Sequence, residues 1–248
     1  MTKTKRHGIA FSILMMLLTA HQVIAQNPPE SKTLSAKQKG IVLIAAWTPK
    51  GDLAQLRTVI GNGLDAGLTI NECKEIFLHA YAYCGFPRSI QGLNTLMATL
   101  DERKSKGIND QLGREATPIP IDTNKYETGW KNLAKLGGRP TDGPIQKPTS
   151  GYGAFSPEID RFLKEHLFAD LFSRDVLSFA ERELTTISVL ISLGKGVEPM
   201  LNNHLGLTIR QGLSKSQIEE VFVLIEKGVS KSDADAARKV FSEMSSRN

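Results

Sequence analysis

Residues 67–77 read Gly-Leu-Thr-Ile-Asn-Glu-Cys-Lys-Glu-Ile-Phe, and residues 212–222 read Gly-Leu-Ser-Lys-Ser-Gln-Ile-Glu-Glu-Val-Phe. Each stretch opens on a glycine, the residue that most readily ends a helix in the left-handed conformation. A capping box follows at once, Thr69 with Glu72 and Ser214 with Gln217. In such a box the hydroxyl and the side chain three residues on satisfy each other's free backbone donors. Cys73, Ile76, Phe77 and Ala80 then fall on one helical face, as do Ile218, Val221, Phe222 and Ile225. A stripe of this kind must be buried against other helices, so the chain is expected to be all-α, an antiparallel helical bundle.

Outward from these segments, residues 34–77 and 179–222 align without a gap at an offset of 145, with 8 of 44 positions identical. Each copy has a mostly apolar helix (37–47; 180–193), a glycine-containing break, a second helix (53–65; 199–211), a terminating glycine and a third helix. Ser178 and Glu181 supply another capping box, and Pro199 suits a first helical turn. Gly85-Phe86-Pro87 stops the first third helix, and a further helix runs to about Arg103; residues 232–245 are its counterpart. Residues 104–157 are rich in glycine and proline, with one helix expected at 125–136. A connector this long reads as an ordered strap over the bundle. The expected organisation is a signal peptide (1–25), a disordered leader (26–33), a first repeat (34–110), a connector (111–157) and a second repeat (158–248).

The signal peptide is read from Lys3, Lys5 and Arg6, an apolar run from Ile9 to Ala20, and Val23-Ile24-Ala25 as cleavage site. The run is short for a membrane span, so export to the periplasm or beyond, with no stable span after cleavage, is the expectation. Three of the five net positive charges sit in that segment. What remains has no basic cluster interleaved with aromatics, which argues against nucleic acid. Cys73 and Cys84 are the only cysteines. On one helix they are about 16 Å apart, too far for a disulfide, which needs about 7 Å or less.

There is no phosphate-binding glycine loop, no dinucleotide fingerprint and no His-Glu-x-x-His. The histidines show no metal-ligand spacing, so neither metal nor cofactor is expected. Glu183 and His204 lie on consecutive helices of the second copy, and at the offset of 145 their counterparts are Gln38 and Val59. A carboxylate that orients an imidazole is a common proton-transfer unit, although each residue alone suits a structural place. Arg88 matches a carboxylate bidentately, and His79, Tyr81 and Cys84 lie just upstream of it. Tyr83 and Phe86 read as core residues.

Several segments resemble the carboxymuconolactone decarboxylase family: Phe168-Ala-Asp-Leu-Phe-Ser-Arg174, Ala180-Glu-Arg-Glu-Leu-Thr-Thr-Ile-Ser-Val-Leu190, His204-Leu205, Gly212-Leu-Ser and Glu219-Glu-Val. Tyr81-Ala-Tyr-Cys-Gly-Phe-Pro87 and Tyr126-Glu-Thr-Gly-Trp130 are similar to the same family's third-helix motif and lead-in. The resemblance implies two tandem alkyl hydroperoxidase D-like helical domains in a homo-oligomer, a trimer being favoured. It also implies a cofactor-free lyase acting on a small carboxylated lactone or related acid. Glu183 and His204 would be catalytic, and Arg88, His79, Tyr81 and Cys84 would bind substrate. The family's thiol peroxidases resemble a Glu…Cys-x-x-Cys-x-x-x-His pattern; anchored on His204, it puts Val197 and Met200 where both thiols belong. That disfavours peroxidase chemistry and leaves a non-catalytic small-molecule binding module as another reading.

Overall fold

The computed structural model describes residues 33–246. The expected signal peptide, and all of the expected leader but Thr33, lie outside the described residues. Every regular element among those described is helical, and no helix there is long and apolar enough to cross a membrane. Three helices open the chain: α1 (Ala36–Lys50), α2 (Leu53–Asp65) and α3 (Ile70–Ser105). The Gly85-Phe86-Pro87 stop appears inside α3 as a kink, with Gly85 at φ 82° and ψ 160°. The stretch 106–178 takes in the expected connector and the first part of the expected second repeat, and is here called the connector. It holds α4 (Lys125–Leu136), α5 (Gly151–Phe155), α6 (Pro157–Phe162) and a π-helical segment (Leu163–Leu171). Four helices close the chain: α7 (Phe179–Leu193), α8 (Glu198–Arg210), α9 (Lys215–Gly228) and α10 (Lys231–Ser245).

The capping boxes at Thr69, Ser178 and Ser214 all form, and a further one, Ser35 with Gln38, starts α1. This last box corrects the gapless alignment. Gln38 is the third helical residue of α1, so its counterpart in α7 is Glu181, the third residue after Ser178. Gly51 and Gly194 likewise end α1 and α7. The first helices therefore correspond at an offset of 143, whereas α2 and α8 start 145 apart, at Leu53 and Glu198. Two extra residues in the α7–α8 turn absorb the difference. Glu183 thus stands opposite Gly40, not Gln38.

α7 is buried without interruption from Arg182 to Ser192, and α1 is buried over most of its middle. A helix buried all round is the centre of a bundle. α1 packs on α7, α2, α3 and α9, while α7 packs on α1, α3, α8, α9 and α10. Ion pairs tie each central helix to a third helix of the other half. Arg182 Nη2 donates to Glu75 Oε2 on α3 at 3.0 Å, and Arg174 pairs with the other oxygen of Glu75 at 2.7 Å. In the matching place Lys39 pairs with Glu220 on α9 at 2.8 Å, and the Leu34 N–H donates to the same carboxylate.

The connector docks through a separate small core of Leu136, Phe168 and Phe172. α4 lies against the π-helical segment so closely that a Cβ at Gly129 would meet the Lys164 carbonyl oxygen at 1.8 Å. Upstream, Ile70 and Asn71 N–H donate to Gln111 and Leu112 carbonyls, and the Asn71 amide caps Gly113 and Arg114. Downstream, the Gln211 amide donates to the Leu136 carbonyl at 2.8 Å.

The two reciprocal ion pairs differ in burial, which sets their expected energetics. Arg182 and Glu75 side chains are 0% and 2% exposed, whereas Lys39 and Glu220 are 41% and 22% exposed. Removing one member of the sealed pair strands a buried charge. Glu75→Ala is expected to cost about 3–5 kcal/mol, and Lys39→Ala about 1 kcal/mol or less. Urea unfolding of both variants measures the difference; equal losses would show that burial does not distinguish them.

Candidate functional site

The Arg182–Glu75 pair fixes how α7 sits against α3, and one turn further along both helices the contact continues. His79 Nε2 lies 2.9 Å from Thr186 Oγ1, and the Thr186 hydroxyl gives its own hydrogen to the Arg182 carbonyl at 3.0 Å. The hydroxyl can therefore only accept from His79, so His79 carries its proton on Nε2 and its Nδ1 is a buried lone pair with no partner. Burial, then the positive charge of Arg182, hold the His79 imidazole well below its usual pKa, so it is neutral.

Next to it, Glu183 and His204 join across α7 and α8. His204 Nδ1 lies 2.9 Å from Glu183 Oε2; the Glu183 side chain is 0% exposed and that of His204 12%. The carboxylate accepts from Nδ1–H, which leaves Nε2 as the end of the ring that can exchange a proton. His204 Nε2 makes no hydrogen bond to the described residues and is not among the sealed polar atoms, so water reaches it. Thr208 donates back to the His204 carbonyl at 2.7 Å, within α8. Glu183 Oε1 is sealed and unpartnered. An unpaired buried carboxylate oxygen is costly in an ordinary core.

Tyr83 on α3 closes the cluster. Its ring meets His79 at 5.4 Å between centroids and His204 edge-on at 5.6 Å. Its hydroxyl is buried beside Thr186 without a hydrogen bond of normal geometry, and burial, followed by the charge of Glu183, pushes the phenol well above its usual pKa. Tyr83 was read from sequence as packing alone. The available signal was its i+4 spacing from His79 on a buried helix face. Thr186, Arg182 and Glu75 also escaped the sequence reading, since buried polar partners on different helices leave no local pattern.

The structure thus brings together Glu183, His204 and His79, from both halves of the chain. It places the other sequence candidates elsewhere. Tyr81 points to the connector, where its hydroxyl meets His166 Nε2 and its ring stacks on Phe86 at 4.5 Å. Phe86 is 62% exposed, so it is not the core residue expected. The Arg88 guanidinium lies over the α1–α2 turn, where a Cβ on Gly51 would touch it. Cys84 Sγ donates to the Ala80 carbonyl of its own helix. Val197 caps α8 and Met200 is half exposed on it. No group of three or more His, Cys, Asp or Glu side chains gathers as a metal site among the described residues.

Residues 157–242 match the model of the Carboxymuconolactone decarboxylase family, a span that runs from α6 into α10 and includes both Glu183 and His204. No curated protein matches the chain.

Both thiols are free, and burial raises them, Cys73 to about 12 and Cys84 to about 11. At pH 8 the more acidic of the two is then thiolate only on the order of one part in a thousand. Labelling of the native protein with Ellman's reagent is expected to be slow, with the free-cysteine rate restored in guanidinium. A burst of one fast thiol in the native state would overturn this.

Proposed function

We propose that the chain is a member of the carboxymuconolactone decarboxylase family that works as a cofactor-free carboxy-lyase on a small carboxylated lactone or related acid. On this reading it consists of two tandem domains of the family's kind, acts after export, and assembles as a homo-oligomer, a trimer by preference. The observation that carries the chemistry is the 2.9 Å contact between His204 Nδ1 and Glu183 Oε2, inside the segment that matches the family model.

Loss of carbon dioxide from such an acid breaks the bond between the carboxylate and its carbon. The electron pair of that bond passes into the conjugated lactone as an enolate, and a proton must then be delivered to carbon. His204, held by Glu183 at Nδ1, supplies that proton from Nε2 and regains one from water. Tyr83 and His79 act as positioning residues: the edge of the phenol fixes the tilt of His204, and neutral His79 adds no charge against it. Arg88, exposed over the α1–α2 turn and outside the Glu183–His204–His79 cluster, has no ion-pair partner among the described residues. It serves this reading only where a substrate reaches from His204 to that turn.

A thiol peroxidase reading fares worse. It needs a nucleophilic thiolate with a resolving partner, and Cys73 and Cys84 are both buried by enough to raise their pKa.

The test is carbon dioxide release from γ-carboxymuconolactone and related carboxylated lactones between pH 5 and 9. His204→Ala is expected to lower kcat by about 10²–10⁴-fold, the usual worth of a positioned acid. Tyr83→Phe should lower kcat far less and change its pH profile, while Arg88→Ala should raise KM with kcat kept. No release from any of these acids at any pH would remove the lyase reading.

A further inference from the structure

The Glu183–His204 cluster leaves a second set of buried charges unexplained, at the connector. Asp160 on α6 and Lys164 on the π-helical segment are 8% and 4% exposed and paired with each other. The Tyr126 hydroxyl donates to the second oxygen of Asp160 at 2.7 Å, and Lys164 Nζ lies 5.0 Å over the Tyr126 ring. Two cavities of about 430 and 750 Å³ meet at this point, sharing Lys147, Pro148, Thr149, Gly153 and Asp160 in their walls. Neither includes Glu183 or His204. Their sizes fall in the range of small-molecule sites, and π-helical turns occur often at such places.

The walls of the smaller cavity decide what would fit. Lys164 and Asp160 neutralise each other there, which leaves Arg139 and Lys147 as two cations with no ion-pair partner among the described residues. Both come from the stretch between α4 and α5. Trp130 and Leu133, one face of α4, and Tyr152 supply an apolar and aromatic wall to the same cavity. An inorganic anion has no use for that wall, and a neutral aromatic has none for two unpaired cations. We infer that the trough between α4 and the strap binds a small organic anion with a flat apolar body, its charge held by Arg139 and Lys147 and its ring laid along Trp130. Such a ligand would pin the strap to α4 and leave the Glu183–His204 pair untouched.

Benzoate is the probe, with benzamide as its uncharged counterpart and inorganic phosphate as an anion without a ring. The full chain is titrated by calorimetry and by tryptophan emission. The sequence has two tryptophans, so the emission is read in Trp47→Phe, which isolates Trp130. Saturable benzoate binding that moves the Trp130 emission is expected, with benzamide and phosphate each weaker by about tenfold or more. The double variant Arg139→Gln, Lys147→Gln, at two exposed positions, should lose about the same factor, and His204→Ala should bind benzoate as the parent does. Four results would overturn the inference: no saturation, equal binding of benzamide, undiminished binding by the double variant, or loss of binding in His204→Ala. The last would assign the anion to the proposed catalytic site, whereas failed lyase assays with intact benzoate binding would leave this site standing.

Discussion

The buried guanidinium of Arg182 is the constraint on which the arrangement of helices at the site depends. It is fully enclosed, donates to Glu75 on α3 and to the Arg174 carbonyl, and lies 5.9 Å from the Phe172 ring centroid. Its Nε and Nη1 have no partner. Burial, helped by the charge of Arg174, pulls its pKa down, and the charge and hydrogen bond of Glu75 work against that shift. An ion kept this dry tolerates little movement of its counter-ion, because the attraction that offsets desolvation requires close, well-aligned contact. Arg182 therefore fixes both the rotation of α7 and its height against α3. Thr186, one turn on, arrives under His79, and Glu183, the next residue after Arg182, is turned toward α8 and His204.

The opposite corner of the bundle shows what happens without that constraint. Lys39 and Glu220 make the matching contact between α1 and α9 but stay partly solvated, where a shift of the pair costs little. Gly40 stands where α7 has Glu183, and the space there is tight for a side chain. A Cβ would come within 2.9 Å of Leu68 Cδ1 and 3.2 Å of Gly63 Cα. The first half has closed the space that a carboxylate occupies in the second. The presence of the carboxylate–imidazole contact in one half only thus has a packing counterpart: α1 and α2 approach closely through Gly40 and Gly63.

Local signals carried most of the fold into view. Capping hydroxyls, terminating glycines and apolar stripes act within a few residues, and they located α2, α4, α7, α8 and α10 to within one residue and α1 to within three, but not α5, α6 or the π-helical segment. The Glu183–His204 contact was also legible, because consecutive helices bring such residues together. Register between the halves was not. The shared Lys-Gly pair at 50–51 and 195–196 pulled the alignment to one offset, although Gly194, not Gly196, ends α7. Likewise Tyr81 and Tyr83 look equivalent in sequence. Two residues along a helix turn a side chain by about 200°, so one faces the core and the other faces His166. The π-helical segment left no mark in the local pattern, although its Phe168 packs with Leu136 of α4 and with Phe172.

The asymmetry of His204 limits the chemistry that the cluster can host. Nδ1 is committed to a carboxylate that is itself enclosed, so the ring cannot turn without stranding Glu183 on both oxygens. Proton traffic must therefore run through Nε2, the edge that water reaches, while Tyr83 blocks one flank of the ring. An imidazole with one fixed and one free nitrogen exchanges a single proton on the side of the ring that faces away from Glu183. It does not suit shuttling between two protein groups, because no second acceptor faces Nε2 among the described residues. The positions of the thiols suit dithiol redox chemistry no better. Both thiols lie on α3, each raised by burial, while Val197 and Met200 occupy the turn of α8 that leads to the imidazole. Within the cluster, then, Nε2 is the polar atom that water reaches, and any proton exchanged there passes through it.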